Sequence, residues 1–440
     1  MGGDSSGTVP VGGSGSTSSE TTEVTSTAGE AEAGSTTASG ESTVEPDPTG
    51  DDTSAGSSTG STGRDAVCGD GVVEGDEGCD PGSDPEGSCT QSCQLVGTKL
   101  WETSLWPVCD TGVSKEVDVR SDGTVAVISV QRDVCHQPAE HDGINLGTLN
   151  FFGELLAESL VVDWGPTQPS TLVQLGSGES LHYGATGLIH GDPFSVLAWN
   201  DDTDEVWRWT DEDTSVGPYR VTVSDDVLYA TGLEAELGFG FRPVLAAVAD
   251  GQQLWTHTFF WSDASVFGDD ESPLTIDVSG GRVYALYGRS DASLCSVDLD
   301  GLEPLCQPIA GFVTTGAVAD DSVFTGTRGD DIVISRRDLD GSVLWSTPLP
   351  DINAESDGFS QLVVGNQRVY ALGTRYEDSV ATASIVALDA TDGEVLLDVS
   401  DPWHIVEDAA LAQDGSLVVI GTQLEEGLTP TSSYAARWAF

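Results

Sequence analysis

The feature that most constrains the fold is a unit of about fifty residues that recurs along most of the chain. Each unit begins with an apolar run, a tight acidic or glycine turn and a second apolar run, and two further short strands follow. A period of this length, built from four short strands, is typical of a β-propeller blade. The first half of the unit occurs seven times, at residues 117–128, 172–185, 221–232, 275–288, 316–327, 361–374 and 408–422.

The second half of the unit supports the same count. A glycine followed three residues later by leucine recurs between the third and fourth predicted strands, and Asp-Gly pairs at 300–301, 340–341 and 392–393 predict tight hairpins there. The glycines that begin this short motif are Gly97, Gly153, Gly251, Gly341 and Gly393.

The two ends of the repeat region complement each other. The chain ends in a third strand with no fourth, whereas residues 97–103 form a fourth strand with no first three. Pairing these ends hides two strand edges that would otherwise be exposed. The sequence therefore predicts an all-β, seven-bladed propeller over residues 97–440, with four-stranded antiparallel blades and a ring closed by strand 97–103 pairing with strand 433–440.

The repeat resembles the quinoprotein-like (PQQ-like repeat) propeller family, on the segments RVYALGT, SIVALDATDGEVLL and VISRRDLDGSVLW. This resemblance implies a propeller and, in the enzymes of the family, a redox quinone with Ca²⁺ in the central channel. Those enzymes generally have eight blades and often a vicinal cysteine pair, and this chain departs from both features. A shared fold does not transfer function, so a quinone- or Ca-dependent dehydrogenase is an alternative and no cofactor is assigned.

Residues 1–64 differ in composition from the rest of the chain. They contain no Ile, Leu, Phe, Tyr, Trp or Cys and consist mostly of Ser, Thr, Gly, Ala and acidic residues. Such a segment cannot bury enough apolar surface to offset chain entropy, which predicts a disordered, flexible tether.

Residues 65–96 form a predicted cysteine-rich module with almost no apolar residues for a core. Without a core, the module would need two disulfides or a zinc ion to stabilise its fold, and the even number of cysteines favours disulfides. The module resembles the myxobacterial cysteine-rich repeat, which implies an exported, bacterial-type surface protein but no chemistry. The matching residues are Cys68, Gly69, Asp70, Gly71, Glu74, Glu77, Cys79, Asp80, Cys89 and Cys93.

The remaining four cysteines are consistent with an oxidising compartment. Cys109 and Cys135 fall in loops on one predicted face, and Cys295 and Cys306 flank the turn at residues 300–301. We predict both pairs as disulfides, while the pairing among Cys68, Cys79, Cys89 and Cys93 stays open.

The net charge limits the kinds of partner, and the length of the apolar runs limits the kinds of membrane attachment. The formal net charge is -57 and lysine occurs only at Lys99 and Lys115, which disfavours nucleic acid and anionic lipid. No apolar run has membrane-spanning length, so we expect membrane attachment only through a lipid or a partner. The expected protein is a secreted or cell-surface monomer, a lipoprotein whose signal segment is absent from this sequence.

Catalytic motifs give no assignment. The chain lacks a G-x-S-x-G elbow, an H-E-x-x-H motif and a phosphate-binding loop, and with 73 acidic residues no carboxylate pair can be singled out. A weak calcium site is predicted where several carboxylates crowd one short loop. Its residues are Asp70, Glu74, Asp76, Glu77 and Asp80.

A binding face is better supported than catalysis. The loops that enter each inner strand and those that join second and third strands share one face, and they carry aromatic and histidine residues. We predict a non-enzymatic binding or scaffold module for an extracellular or envelope protein or glycan. The alternatives are a carbohydrate-active or quinone-dependent enzyme and an outer-membrane assembly scaffold. The predicted face comprises Trp106, His136, His141, Trp164, Phe259, Trp261, Phe359, Trp403 and His404.

Overall fold

A computed structural model describes most of the repeat region of the chain. The described residues are 96–107, 112–132, 142–163, 171–177, 181–188, 194–200, 204–211, 218–236, 240–259, 273–288, 292–319, 321–328, 331–353, 358–377, 380–402, 404–425 and 429–440. These residues contain 28 strands. No helix long and apolar enough to cross a membrane occurs within these ranges.

Three antiparallel sheets, each of four consecutive strands, form the first half of the repeat region. Blade 1 contains β2 (Gly112–Val119), β3 (Val125–Arg132), β4 (Asp142–Leu149) and β5 (Leu155–Asp163); blade 2 contains β6 (Thr171–Ser177), β7 (His182–Leu188), β8 (Phe194–Trp199) and β9 (Glu205–Asp211); blade 3 contains β10 (Pro218–Ser224), β11 (Val227–Glu236), β12 (Gly240–Ala249) and β13 (Gln252–Thr258).

Three more sheets of the same type follow. Blade 4 contains β14 (Pro273–Ser279), β15 (Arg282–Tyr287), β16 (Ser293–Asp298) and β17 (Leu305–Pro308); blade 5 contains β18 (Val313–Ala319), β19 (Ser322–Arg328), β20 (Asp331–Asp338) and β21 (Val343–Asn353); blade 6 contains β22 (Gly358–Gly365), β23 (Arg368–Glu377), β24 (Val380–Asp389) and β25 (Val395–Pro402).

The remaining four-stranded sheet joins the two ends of the described region. In this composite blade, β26 (His404–Leu411), β27 (Leu417–Glu425) and β28 (Thr429–Trp438) are followed in space by β1 (Lys99–Pro107). The prediction of seven blades is corrected to six blades of consecutive strands, together with one composite sheet that closes the ring. The predicted bounds of the closing pair are corrected as well, because β1 runs on to Pro107 and β28 begins at Thr429.

The sheets are arranged as a closed ring. The first strand of each sheet contacts the first strand of the next one, and β26 contacts β2 to complete the circle. Apolar side chains fill the space between neighbouring blades. Between blades 3 and 4, for example, Tyr229 and Leu245 pack with Ile276 and Val283. The all-β propeller architecture predicted from the repeat is therefore confirmed, and the hydrophobic core is divided among the blade junctions.

The glycine-to-leucine motif has a structural explanation at the outer side of the ring. Gly393, in the turn before β25, has a φ of +77°, and a Cβ atom there would lie 2.5 Å from the ring of Trp345 in β21 of the preceding blade. The indole Nε1 of Trp345 donates to the carbonyl oxygen of Ala390 in the same turn, at 3.0 Å. Trp101 against Gly153 and Trp255 against Gly301 repeat this contact. We call it the tryptophan–glycine contact.

Candidate functional site

The wall of the central channel carries one polar residue at the same level in six of the first strands. In each of these strands a register irregularity precedes this residue, and such β-bulges re-aim a side chain. The six residues line a cavity of about 400 Å³. This polar belt consists of Glu116, Arg220, Thr275, Thr315, Gln361 and Asp408.

Two belt residues bind the backbone of the next first strand. Gln361 in β22 donates from Nε2 to the carbonyl oxygen of Ala409 at 3.4 Å, and its Oε1 accepts from the Ala409 N–H at 3.2 Å. Asp408 in β26 accepts from the Val117 N–H of β2 at 2.8 Å. These bonds link blade 6 to the composite blade and the composite blade to blade 1.

Arg220 extends the belt on the other side of the channel. Its Nε donates to the carbonyl oxygen of Leu274 in β14 at 3.1 Å, and its Nη1 lies 3.3 Å from Oε1 of Glu116 in β2. One guanidinium therefore reaches from blade 3 to a carboxylate in blade 1 and to the backbone of blade 4. A planar guanidinium with several donors suits such a bridging position.

Burial changes the acidity of carboxyl groups in the first strands. Burial raises the pKa of Asp408 to about 6, against the opposing effects of the Val117 N–H, the Arg220 charge and Glu116. Burial likewise raises the pKa of Asp277 in β14 to about 6, with the Val278 N–H acting in the opposite direction. A carboxyl group of raised pKa is found in general acids and also in structural ion-pair networks.

The hydrogen bonds of the belt indicate that Asp408 and its neighbours hold the blades together and do not act as catalytic acids. Asp408 is only 5% exposed and holds the backbone of the neighbouring strand, while Gln361 makes two bonds to one backbone residue. A catalytic acid must reach a substrate proton directly or through one water. The geometry of the belt thus links blades across the channel, beside a cavity of about 400 Å³.

A second cluster lies where the ring closes. Lys99 and Glu102 lie on β1, Asp401 lies near the end of β25, and His404 is the first residue of β26. Lys99 Nζ lies 2.6 Å from Glu102 Oε2 and 2.5 Å from Asp401 Oδ2. We call these four residues the seam cluster. It is a compact ion-pair network between blade 6 and the composite blade, which contains both β1 and β26.

His404 is the buried member of the seam cluster. Its Nδ1 lies 2.9 Å from the carbonyl oxygen of Pro402, and its ring packs edge-on against Tyr434 at a centroid distance of 4.6 Å. The Nε2 atom is buried and has no hydrogen-bond partner among the described residues. Glu102 Oε1 lies 3.6 Å from this nitrogen.

The charges of the seam cluster support one another. Burial pushes the pKa of Lys99 downward, but the hydrogen bonds and charges of Asp401 and Glu102 outweigh burial and raise it. Burial pushes the pKa of Glu102 upward, but the hydrogen bond and the charge of Lys99 oppose burial, and the pKa of Glu102 is lowered. The ionised forms of both groups are therefore favoured in the folded protein.

The structure reaches four residues of the predicted binding face. Trp106 lies in β1 and Phe359 in β22. Phe259 and His404 are only 4% and 6% exposed, because Phe259 packs against His257 and His404 against Tyr434. The buried rings of these two residues do not present the free aromatic surface that the sequence suggested. His136, His141, Trp164, Trp261 and Trp403 lie outside the described residues.

One predicted disulfide falls within the described ranges. Cys295 in β16 and Cys306 in β17 are paired across the hairpin and are bonded to each other, with Cα atoms 4.0 Å apart. The other predicted cysteines, and the carboxylates of the predicted calcium site, lie outside the described residues. They are Cys68, Cys79, Cys89, Cys93, Cys109, Cys135, Asp70, Glu74, Asp76, Glu77 and Asp80.

Comparison with known proteins identifies the fold and no family. No protein-family model matches the chain, and no curated protein matches it. The chain is similar in structure to the WD40 β-propeller domain of Doa1, with a TM-score of 0.51, 12% identity and coverage of 78% of this chain and 97% of that one. The RRP9 WD40 repeats give a TM-score of 0.51 at 12% identity, covering 76% and 99% of the two chains.

A third similar structure is a chain of the mitotic checkpoint complex, with a TM-score of 0.50, 13% identity and coverage of 78% and 95% of the two chains. At these identities the likeness shows the β-propeller fold alone. The resemblances to quinoprotein-like and cysteine-rich repeats receive no support from a matching family.

Sequence reasoning missed a feature of the outer strands. In the fourth strand of all six contiguous blades an aliphatic side chain is about half exposed, and in four of these blades it is the leucine of the glycine-to-leucine motif. The turns before β5 and β17 add exposed side chains from Phe151, Phe152 and Leu302. Third-to-fourth strand turns lie on the side of the ring opposite the predicted binding face. This apolar rim comprises Phe151, Phe152, Leu156, Val206, Leu254, Leu302, Leu305, Leu344 and Leu396.

Proposed function

We propose that this chain is a secreted or surface-displayed β-propeller that binds an extracellular or envelope partner and has no catalytic activity. The main observation behind the proposal is that the charged residues of the polar belt are already paired. Its charged residues Glu116, Arg220 and Asp408 bind one another or neighbouring strands, so the channel wall works as part of the ring. A rigid ring that displays its surfaces is suited to recognition.

Three further features agree with an exported binding protein. The Cys295–Cys306 bond suits an oxidising compartment. The net charge of -57 favours a soluble, mutually repelling surface. The composition of residues 1–64 suits a tether that lets the propeller reach its partner.

The apolar rim is a surface on which a protein partner could be held. Phe152 is 73% exposed and Leu156 is 60% exposed, and the repeat places comparable residues around the ring. The densest part of the rim is in blade 1, where the rings of Phe151 and Phe152 are in edge-to-face contact, and contiguous exposed apolar side chains mark interaction sites. The rim shares no residue with the predicted face that includes Trp261 and Trp403, so variants can test the two surfaces separately.

The first experiment separates binding from catalysis. Purified full-length protein is supplied with Ca²⁺ and a redox quinone and assayed for dye-linked oxidation of alcohols and sugars, and it is screened on a glycan array with and without Ca²⁺. We expect no turnover. Oxidation that is lost in the Glu116→Gln and Asp408→Asn variants would overturn the proposal and place an active site in the channel.

The second experiment locates the binding surface. Immobilised protein is exposed to an envelope extract from its own cells, and captured proteins are identified and re-measured as purified partners. A rim variant (Leu254→Ser, Leu344→Ser) is compared with a variant of the predicted face (Trp261→Ala, Trp403→Ala). The control variant is Glu205→Gln, which alters an exposed side chain of β9. Loss of a saturable interaction in one variant only identifies the face, and equal, unsaturable capture by all of them counts against a binding function.

A further inference from the structure

The seam cluster contains the ligand types of a transition-metal site. Glu102, Asp401 and His404 each offer one ligand atom, and these atoms all lie within 4.8 Å of one another. Imidazole nitrogen together with carboxylate oxygen is a donor set that Zn²⁺ accepts in proteins. Acidic clusters are common on so acidic a chain, and further evidence is required before a ligand is inferred.

His404 supplies that evidence. Its side chain is 7% exposed, and its buried Nε2 lacks a hydrogen-bond partner within the described part of the chain. A buried polar atom without a partner carries an energetic cost, so its retention requires an explanation. Two acceptors face Nδ1, the carbonyl oxygen of Pro402 at 2.9 Å and Asp401 Oδ2 at 3.2 Å, and they favour the tautomer with the proton on Nδ1. The lone pair of Nε2 then faces Glu102 Oε1 at 3.6 Å, and a cation bound between these two atoms would satisfy both of them.

The two carboxylates of the cluster already bind a positively charged group, the ammonium group of Lys99. Its ammonium group lies between the two carboxylates, 2.6 Å from Glu102 and 2.5 Å from Asp401. One ammonium balances only one of these two negative charges, whereas a divalent ion balances both. The ammonium also leaves Nε2 of His404 without a partner, which a metal ion would provide.

We propose that Glu102, Asp401 and His404 bind a divalent metal ion of the Zn²⁺ class, which displaces the ammonium group of Lys99. The three ligands come from β1, β25 and β26, so the ion joins the two edge strands of the composite blade to blade 6. An ion that binds only where the ring is closed stabilises the folded state by mass action. The seam cluster is then a metal-dependent lock of the ring, independent of the partner that the propeller binds.

The test uses the full-length protein after chelator treatment and dialysis. Zn²⁺ binding is measured by titration calorimetry and by the shift in melting temperature, and Co²⁺ is used for its visible absorption in a mixed nitrogen and oxygen site. His404→Gln and Glu102→Gln are each expected to weaken Zn²⁺ binding at this site by roughly 100-fold. Lys99→Met is expected to tighten it several-fold, because the competing cation is removed.

The control variant is His257→Gln, which alters a histidine on β13 that packs against Phe259. It is expected to bind Zn²⁺ as the unaltered protein does. Glu102 is partly exposed, so we expect the Glu102→Gln protein to fold. This variant therefore tests the site even if His404→Gln impairs folding. The proposal is overturned if Zn²⁺ and Co²⁺ bind the Lys99→Met protein and its Glu102→Gln or His404→Gln derivatives equally, or if they bind none of them.

Discussion

The outer side of the ring and the channel wall join the same blades by different chemistry. At the outer side, Trp345 of blade 5 packs on Gly393 of blade 6 and donates to Ala390. At the channel, Gln361 and Asp408 bind the backbone of the next strand. The outer contact combines ring packing with hydrogen bonds between uncharged groups and is repeated in the sequence, whereas the inner contacts involve charged or amide side chains and differ from blade to blade.

This difference reflects the space available at each radius. At the channel, first strands lie side by side, so a single polar side chain can reach the neighbouring backbone. At the outer side the blades diverge, and a large ring is needed to fill the gap. We therefore expect outer contacts to contribute stability that is insensitive to pH and inner contacts to contribute stability that changes with protonation.

The largest effect is expected at the outer junction of blades 5 and 6. Gly393→Ala introduces a Cβ at a φ of +77°, 2.5 Å from the ring of Trp345. The backbone cost and the steric clash together should lower the free energy of unfolding by up to about 5 kcal/mol. Chemical denaturation followed by circular dichroism measures the change.

Gly341→Ala is the matched control for this change. Gly341 has a similar φ of +88°, but its nearest neighbour is the carbonyl oxygen of Pro308 at 3.4 Å and no tryptophan packs on it. We expect only the backbone cost of about 1–2 kcal/mol. If both variants lose the same stability, the tryptophan contact contributes nothing to the outer junction.

The disulfide of blade 4 is expected to have the next largest effect. Cys306 follows the exposed Leu305 just as Trp255 follows Leu254, so the disulfide lies where other blades place a tryptophan. Replacing both cysteines by alanine should lower the free energy of unfolding by about 3 kcal/mol, as expected for a short loop. Substitution is preferred to reductant, which would affect every disulfide of the chain.

A second double variant refines this comparison. Cys295→Ala with Cys306→Trp reproduces the Ala247 and Trp255 pair of blade 3 at this position. It should recover part of the stability that the double-alanine variant loses. If this variant regains no stability, the tryptophan stabilises a blade junction only together with the surrounding residues of blade 3.

The inner contacts should make the free energy of unfolding depend on pH. Asp408 has a folded-state pKa of about 6, above its ordinary value of 3.8, because burial disfavours its charged form. Its contribution to stability is therefore fully present below about pH 4 and is lost as the pH rises through 6. Between these limits the protein should lose about 2 kcal/mol that the Asp408→Asn variant does not lose.

The measurement is the difference in unfolding free energy between the unaltered protein and Asp408→Asn, taken from pH 4 to 8. Because the variant keeps an oxygen acceptor for the Val117 N–H, it should fold normally. The difference cancels the general charge repulsion of the acidic surface. A difference that does not change with pH contradicts a raised pKa at Asp408.

The smallest expected effect concerns a single hydrogen bond at the outer side. Thr347 donates from Oγ1 to the carbonyl oxygen of Gly393 at 2.8 Å, beside the tryptophan ring. Thr347→Val keeps the shape and removes the donor, which should lower the free energy of unfolding by about 1 kcal/mol. If the loss matches that of Gly393→Ala, polar bonding rather than ring packing holds this junction.

Much of the architecture could be predicted from the sequence because blades repeat. The positions of the first and second strands, the Asp-Gly turns with positive φ at Gly301, Gly341 and Gly393, and the pairing of Cys295 with Cys306 are local features. The closing pair of β1 and β28 followed from counting unmatched strands, although both strands are longer than predicted. Each of these depends on short-range pattern and hairpin geometry.

The candidate sites could not be predicted in this way. Glu116, Arg220 and Asp408 lie far apart in the chain and meet only because each follows a bulge at one level of the channel. The exposure of Leu254 and Leu344 was likewise hidden, since an apolar residue in a strand is usually buried.

By itself the sequence determined the repeating blade, its turns and the composition of the segments before it, because these depend on neighbours along the chain. The tertiary structure alone decided that Lys99, Glu102, Asp401 and His404 share one seam and that the fourth-strand aliphatic residues face solvent. Closing a ring brings the two ends of the repeat region together and assigns each side chain to a channel, a junction or a rim. No local pattern contains that information.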